Sequence, residues 1–592
     1  MTRIVNLKIK NFRGIKSLDQ NFDAQFICLI GRGDSCKTTI LEAISSVLSP
    51  NYRISFYDPD FYNSNTDENI EIEVTLIDFP QEFQLENKYG RYKKKYDAST
   101  KKIIADITID NDDMKDSITI KLTIDKHLEP QWTIIGRLAQ EPINISAHDR
   151  AKLNCFLVAD YTDRHFSWNK GNPLYSLLNS IDGDASENKN IIVDILRIAK
   201  NKIDAEDFGK TKEAIQIVEE NARALGLNIS DAKTAIDFRD IAINDGKIYL
   251  NDKDNIPFRL KGKGTKRIAS MAIQLSLAKK CGGIILIDEV EQGLEPDRIK
   301  QVVRSLAKDN QTQIFITTHS RDAVEELTTE NLFLTKRNDD NGTVAVVGLP
   351  NKPDLQGTIR ACPEAFFAKK IIICEGATEI GICRALDKYR TTKGNPNMVS
   401  LDCTYIDGNG ENLFIRVDEC KAFFNKLCVF MDSDTNGKLL KNKTGQELGT
   451  QKEKKNIWIE QDGIAVFDCA DNNNIEKQVI MDLPWNAVQK LIQYVIKIKY
   501  QTESQLINEI KKKYPDLQNI TTICSETADL RNALAEIASG KKGQDGKKHD
   551  SWFKRIDHGE FLGEVIFSCF DALSGTHLKD KMLEPLLKWI DE

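Results

Sequence analysis

Phe26-Ile-Cys-Leu-Ile30-Gly31-Arg-Gly33-Asp-Ser-Cys36-Lys37-Thr38-Thr39-Ile40-Leu-Glu-Ala-Ile44 reads as three elements in succession. The five apolar residues before Gly31 have the length and composition of a strand buried on both faces. The polar, glycine-bearing stretch from Gly31 to Cys36 ends it. Ile40, Leu41 and Ile44 then recur at helical spacing. A strand, a glycine-bearing loop closing in Lys-Thr, and a helix are the context a phosphate-binding P-loop needs. Loop N–H groups and the helix N-terminus cradle phosphates. Gly31, Gly33, Cys36, Lys37, Thr38 and Thr39 are therefore the candidate ATP-binding residues here. Lys37 would reach the β- and γ-phosphates, and the Thr38 hydroxyl would hold Mg2+. One residue departs from G-x-x-x-x-G-K-[ST]: Cys36 stands where the second glycine belongs. If that position needs φ > 0, a side chain there is strained, and weaker ATP binding or slower turnover follows.

Further along, Gly282-Gly-Ile-Ile-Leu-Ile287-Asp288-Glu289 is an apolar strand ending in two acids. Asp288 suits a ligand of the nucleotide's Mg2+, and Glu289 a base that polarises attacking water. Glu291-Gln-Gly293-Leu-Glu-Pro296-Asp resembles the D-loop of ABC-type ATPases. Gln313 to Ser320 is a second such strand, ending at His319, where a switch histidine would meet the γ-phosphate. Upstream, Lys261-Gly-Lys-Gly264-Thr265-Lys-Arg267 precedes a helical run from Ile268 to Ala278 and loosely resembles an ABC signature segment. Gly264 would make the turn, and Thr265 would cap the helix and supply a hydroxyl.

The composition agrees with an ordinary globular chain. Of 592 residues, 41% are hydrophobic and 29% charged, with a net charge of −7, which excludes a globally basic nucleic-acid coat but not a local basic patch. Several domains are expected at this length. No apolar run approaches about 18 residues, so no membrane-spanning helix is expected, and the N-terminus lacks a signal peptide's apolar block. The 13 cysteines include no C-x-x-C pair. They read as reduced thiols of a cytoplasmic protein without a structural zinc.

About 250 residues separate Lys37 from Asp288, wider than a P-loop ATPase needs, so something is inserted. Residues 70–135 hold strand-like stretches, and about 168–235 reads as helical and charged, with Ile191 to Ile198 as one helix. That order resembles a RecF/SMC-type head with a short helical insertion in place of a long coiled coil, and it implies a homodimer or higher oligomer through the heads. Lys88-Tyr-Gly-Arg-Tyr-Lys-Lys-Lys-Tyr96 interleaves basic and aromatic residues, which suits nucleic acid but more often marks a solvated strand.

A new unit begins after the loop around Pro350 to Pro363. Lys369 to Cys374 is a strand followed by Glu375-Gly-Ala-Thr-Glu379 opening a helix; Leu401 to Ile406 is a strand ending in Asp407-Gly-Asn-Gly410; Lys426 to Met431 ends in Asp432-Ser-Asp434; Gly463 to Phe467 precedes Asn473-Asn-Ile-Glu476. This β-α-β-α-β order suggests a parallel sheet with acids at strand C-termini, where such sheets place their sites. Five clustered carboxylates repel one another unless divalent cations neutralise them. All-oxygen ligands favour Mg2+, Mn2+ or Ca2+.

The set E-G-x-T-E, D-G-N-G and D-x-D is similar to the Toprim fold. An ABC-type head followed by Toprim resembles the OLD (overcoming lysogenization defect) family. The resemblance implies an α/β fold: an ABC-type P-loop ATPase domain over 1–350, with a helical dimerisation insertion at about 168–235, then a Toprim domain over 364–592. The latter would have a core at about 368–480, a helical insertion at about 485–538 and a C-terminal basic segment at 540–592. It implies a metal-dependent DNA endonuclease or nickase regulated by the ATPase, in a prokaryotic antiphage defence system of retron or Gabija kind. Glu375, Asp432 and Asp434 would hold one metal, and Glu379 and Glu476, with Asn474, a second. Two ions about 4 Å apart would clamp attacking and leaving oxygens. Lys554, anchored by Trp552 and Phe553, would stand beside the scissile phosphate, and the loop 540–549 would touch the DNA backbone. Implied partners are DNA, and a reverse transcriptase with its RNA–DNA product or a helicase, with no membrane. The alternative is a RecF/SMC-like DNA-repair ATPase whose Toprim unit binds DNA without cutting it.

Overall fold

The computed structural model describes residues 2–51, 54–104, 113–136, 140–167, 172–182, 209–229, 233–237, 247–424, 426–441, 447–540 and 551–592. The chain divides into two compact units, Met1–Lys352 and Pro353–Glu592.

The first unit holds two large sheets. One is antiparallel and contains β1 (Arg3–Phe12), β2 (Ile15–Asn21), β4 (Ile70–Ile77), β5 (Lys94–Asp97), β6 (Lys102–Ile104), β7 (Met114–Ile124), β8 (Pro130–Ile135) and β9 (Ile143–Asn144). Its order is β2-β1-β4-β7-β5-β6, and the long β7 also pairs with β8 along its second half. Alternation of buried Ile70, Ile72 and Val74 with half-buried glutamates puts one face of β4 on the core.

The other sheet has the order β10-β13-β14-β3-β15-β16. It is built from β3 (Phe26–Ile30), β10 (Cys155–Val158), β13 (Ile284–Ile287), β14 (Gln313–Thr317), β15 (Leu332–Arg337) and β16 (Val344–Gly348). All pairs are parallel except β15 with β16. β3, β13 and β14 are buried at every residue, as strands covered on both faces must be. They are neighbours running the same way, so the loops at their C-termini, carrying Lys37, Asp288 and His319, open on one edge of the sheet.

Two readings of this half are corrected. In the stretch about 168–235 the described residues hold two helices, Pro173–Asp182 and Gly209–Ala224, before β11 (Lys233–Asp237), which pairs with β12 (Lys247–Asn251). Ile191 to Ile198 lies outside the described residues. The helix behind the signature-like segment starts at Lys263, so Gly264 and Thr265 sit inside its first turn. Its N-cap is Gly262 with no side-chain cap bond, so Thr265 does not cap it. The basic-aromatic stretch is engaged within the unit: Lys88 and Tyr89 bind the Asp149 carboxylate, and Lys93 and Lys95 bind Asp116.

The second unit is built on a fully parallel sheet of order β18-β17-β19-β22, from β17 (Lys370–Cys374), β18 (Cys403–Asp407), β19 (Lys426–Met431) and β22 (Ala465–Asp468). A small hairpin, β20 (Leu439–Lys441) and β21 (Glu447–Thr450), lies between β19 and β22 in sequence. The helices Trp485–Val495, Glu503–Lys513, Ala528–Ser539 and Ile556–Ser568 supply much of its apolar core. Leu491 and Val495 are buried there, but Ile498 is 39% exposed, because a π-turn from Ile496 to Tyr500 rotates it off the stripe. No described helix is long and apolar enough to cross a membrane.

Candidate functional site

In the first unit the loop after β3 is held in a tight cradle. Gly31 has φ +138°, and a Cβ there would stand 2.6 Å from the Thr335 carbonyl oxygen, so only glycine fits. Gly33 faces open space. Cys36 is the N-cap of the helix Lys37–Val47, in the left-handed region at φ 67°, ψ 21°, where the motif ordinarily has glycine. The Lys37 ammonium donates to the carbonyls of Gly31 (3.0 Å) and Arg32 (2.8 Å) and to Ser35 Oγ (3.2 Å). Burial pulls its pKa down to about 8, against the pull of Asp288 and Glu291. Thr39 lies half-buried in the first turn.

Thr38 Oγ1 donates to Asp288 Oδ1 at 2.9 Å, and Thr317 Oγ1 donates to the same oxygen at 2.7 Å. The Glu289 amide donates to Thr317 Oγ1 at 2.7 Å. Glu289 itself has φ 44°. Its carboxyl pKa is raised by burial and by the charges of Asp288 and Glu291. The backbone N–H of His319 donates to Glu291 Oε1 (2.6 Å), and Thr318 Oγ1 to Glu291 Oε2 (2.7 Å). Arg267, 1% exposed, donates to the carbonyls of Asp288, Glu289 (3.0 Å) and Ala159 (3.1 Å) and to Gln292 Oε1 (2.7 Å). It fastens the start of the Lys263–Cys281 helix to the acids after β13. Gly264 touches the D-loop-like turn: a Cβ on it would stand 2.2 Å from the Gly293 oxygen. A cavity of about 630 Å3 opens beside Thr38, Asp288 and Glu289 and is also lined by His165 and Arg267.

Arg267, Glu291 and Thr317 are the residues that sequence reasoning missed here. The arginine lay within the quoted signature-like segment, yet only the tertiary fold shows what it binds.

In the second unit, Glu375 follows β17, and Asp432 and Asp434 follow β19, the strand beside it. The Asp432 amide donates to Glu375 Oε2 at 2.9 Å. Gly408, just after β18, has no room for a Cβ, which would stand 2.5 Å from the Cys374 oxygen. Glu379 is buried at the third position of the helix Ala377–Thr392 and accepts the Gly376 N–H at 3.0 Å. Glu476 is 0% exposed in the first turn of the helix Ile475–Asp482, and the Ile475 amide donates to Asp432 Oδ1 at 2.7 Å. Lys554 Nζ lies 3.2 Å from Glu476 Oε1, while Thr378 Oγ1 donates to the Phe553 carbonyl at 2.8 Å. Trp552 and Phe553 are buried; Lys541, Lys542, Lys547 and Lys548 lie outside the described residues.

The electrostatics of these acids are coupled. Burial, then the neighbouring charges of Glu375 and Glu476, push the Glu379 pKa up to about 8. Burial raises Asp432 well above the carboxylate range, with Glu379, Glu375 and Glu476 adding to it. Glu375 is raised by burial and by Asp434. Burial opposes the Lys554 charge, but Glu476, Asp432 and Glu379 outweigh it and raise its pKa. Glu476 Oε2 is buried with no hydrogen-bond partner. A buried oxygen of this kind, facing neighbouring acids, fits a divalent cation by its chemistry. As the side chains stand, no three His, Cys, Asp or Glu residues among those described form a group that could hold a metal ion. Asn474 does not fit the ligand role expected of it: its Oδ1 caps the Ile475–Asp482 helix, and its Nδ2 donates to the Ser539 carbonyl.

A family profile described as "AAA domain, putative AbiEii toxin, Type IV TA system" matches residues 26–324, from the start of β3 into the helix after His319. No curated protein matches the chain. Among similar solved structures is an Smc head bound to the C-terminal winged-helix domain of ScpA, 18% identical, covering 58% of this chain and 97% of its own, with a TM-score of 0.35. Another is a Pyrococcus furiosus Smc head with an extended coiled coil bound to the C-terminal domain of ScpA, 14% identical, covering 62% and 99%, at 0.37. A third is the SMC head domain from Thermotoga maritima, 12% identical, covering 59% and 99%, at 0.29.

Proposed function

Because the chain belongs to this AAA-domain family, we propose that its first unit binds and hydrolyses ATP with Mg2+, and that its second unit is a Toprim-type, metal-dependent DNA endonuclease or nickase under the control of that ATPase. The whole would be an OLD-like effector of prokaryotic antiphage defence, of retron or Gabija kind, dimerising through its ATPase heads and acting with a reverse transcriptase or helicase partner. For the ATPase, Gly31, Gly33 and Lys37 would cradle the phosphates, and Thr38 and Asp288, already sharing a hydrogen bond, would hold Mg2+. Glu289, with its raised pKa, would take the proton of the attacking water.

The observation that carries the nuclease reading is the unpartnered, fully buried Glu476 Oε2 among Glu375, Glu379 and Asp432, with Lys554 against the same glutamate. Glu375, Asp432, Asp434, Glu379 and Glu476 would hold divalent metal. A bound ion would supply charge neutralisation, polarise a phosphoryl oxygen and acidify a water. The chain's own part is positional and electrostatic. The Lys554 side chain is about half exposed, so its ammonium can turn to a phosphate oxygen as charge develops there. Thr378, through the Phe553 carbonyl, fixes the backbone that presents it.

The test is incubation of the full chain with supercoiled plasmid and Mn2+ or Mg2+, with and without ATP. Wild type is expected to nick or linearise the DNA, and Glu375→Gln and Asp432→Asn are expected to leave it intact. Intact DNA with wild type under every condition would reject the nuclease. The Lys554–Glu476 ion pair at 3.2 Å, which already neutralises one of the acids from within the chain, favours a second reading, a RecF/SMC-like ATPase whose second unit binds DNA uncut. DNA retention without cleavage would establish that one.

A further inference from the structure

The helix Gln451–Glu460 sends one ammonium inward. Lys455 lies in the run Lys452-Glu-Lys-Lys455, which reads as a solvated charge cluster, yet its side chain is only 5% exposed. Its Nζ donates to the Asp432 carbonyl (3.2 Å), to Ser433 Oγ (3.0 Å) and to Asp468 Oδ2 (2.8 Å). An ammonium has three donors, and all three are used on the protein. Ser433, fully buried, donates its hydroxyl to the same Asp468 oxygen at 2.9 Å. The Ser433 amide donates to the Asn473 carbonyl, and its own carbonyl accepts the Asn472 amide. The middle of the Asp432-Ser433-Asp434 turn is thus gripped from behind, by one cation and one carboxylate. Of the two outer carboxylates, Asp432 lies within electrostatic reach of Glu375 and Glu476, and Asp434 within reach of Glu375.

We propose that Lys455 is a positioning residue. With Ser433 and Asp468 it locks the turn after β19, so that Asp432 and Asp434 are held for a divalent cation, and it touches neither the ion nor DNA. This rests on the reading of the second unit as a cation-dependent nuclease. Supporting bonds of this kind commonly set about 10- to 100-fold of metal affinity. A lone Lys455→Met would strand the Asp468 charge. Lys455→Met/Asp468→Asn removes the charge from both partners and so separates positioning from misfolding.

The experiment is calorimetric titration of Mn2+ into the metal-free full chain. The site is defined as the binding lost in Asp432→Asn, and the fold is checked by melting in chelator. The double variant is expected to melt close to wild type and to bind Mn2+ about 10- to 100-fold more weakly at that site. Ser433→Ala is expected to weaken binding in the same direction by less. A folded double variant with wild-type Mn2+ affinity overturns the positioning role. If the double variant does not fold, Ser433→Ala decides, and an unchanged affinity there overturns it. Wild type with no Mn2+ binding that depends on Asp432 overturns the nuclease reading instead.

Discussion

Cys36 offers a direct test of the phosphate loop. At φ 67°, ψ 21° its backbone occupies the left-handed region, where a residue with a Cβ costs roughly 1–2 kcal/mol relative to glycine. Its side chain also packs, with Sγ placed where a Cβ on Gly14 would stand 2.8 Å away. Cys36→Gly removes the strain but adds freedom to the unfolded chain, about 0.4–1 kcal/mol in the opposite sense. Net stability should therefore change by no more than about 1.6 kcal/mol. Cys36→Ala keeps the strain and loses the sulfur, so it should be less stable than Cys36→Gly by about 1 kcal/mol. Urea unfolding of the two variants reads this difference as a shift in midpoint at constant slope. ATP turnover, measured alongside, should be kept or raised in Cys36→Gly, because the variant restores the room a phosphate needs. Alanine as stable as glycine at this position would refute the strain argument. A large loss of turnover in Cys36→Gly would refute the loop assignment.

Gly264→Ala would place a Cβ 2.2 Å from the Gly293 oxygen; ATP turnover should fall on the order of 10- to 100-fold with little change in ATP Kd, and equal kcat would contradict the contact. Lys37, with a pKa near 8 through burial, loses its proton as pH rises past 8, so ATP affinity should be flat below that pH and fall toward about tenfold per unit above it; flat affinity from pH 7 to 10 would contradict this. His165 is buried with an unpartnered Nδ1, and burial holds its pKa down to about 4. Its folded pKa lies below its unfolded value, so stability is lost as pH falls from about 6.5 to 4, by about 3 kcal/mol. Urea midpoints of wild type and His165→Leu at pH 7 and 4.5 would show the smaller acid loss in the variant.

The parallel sheets and their loops were legible because each strand is short, apolar and followed at once by its functional residues, as in Ile287-Asp288 and Met431-Asp432. The start of the signature-like helix was not, because Gly262 caps it without a side-chain bond and gives no Ser, Thr, Asp or Asn signal. Asn474 carried such a signal: an asparagine just before Ile475-Glu476 is an ordinary N-cap, and its side chain is spent on that role. Arg267 and Lys455 could not be found from pattern. Each sits in a charged stretch, and burial against distant backbone carbonyls, not spacing, gives it a role.

Whether the acids of the second unit hold divalent cations is read straight from diffraction by crystals soaked in Mn2+. Anomalous density bounded by Glu375, Asp432 and Glu476 is expected. Crystals with no such density, at Mn2+ concentrations that support DNA cleavage, would contradict metal binding there.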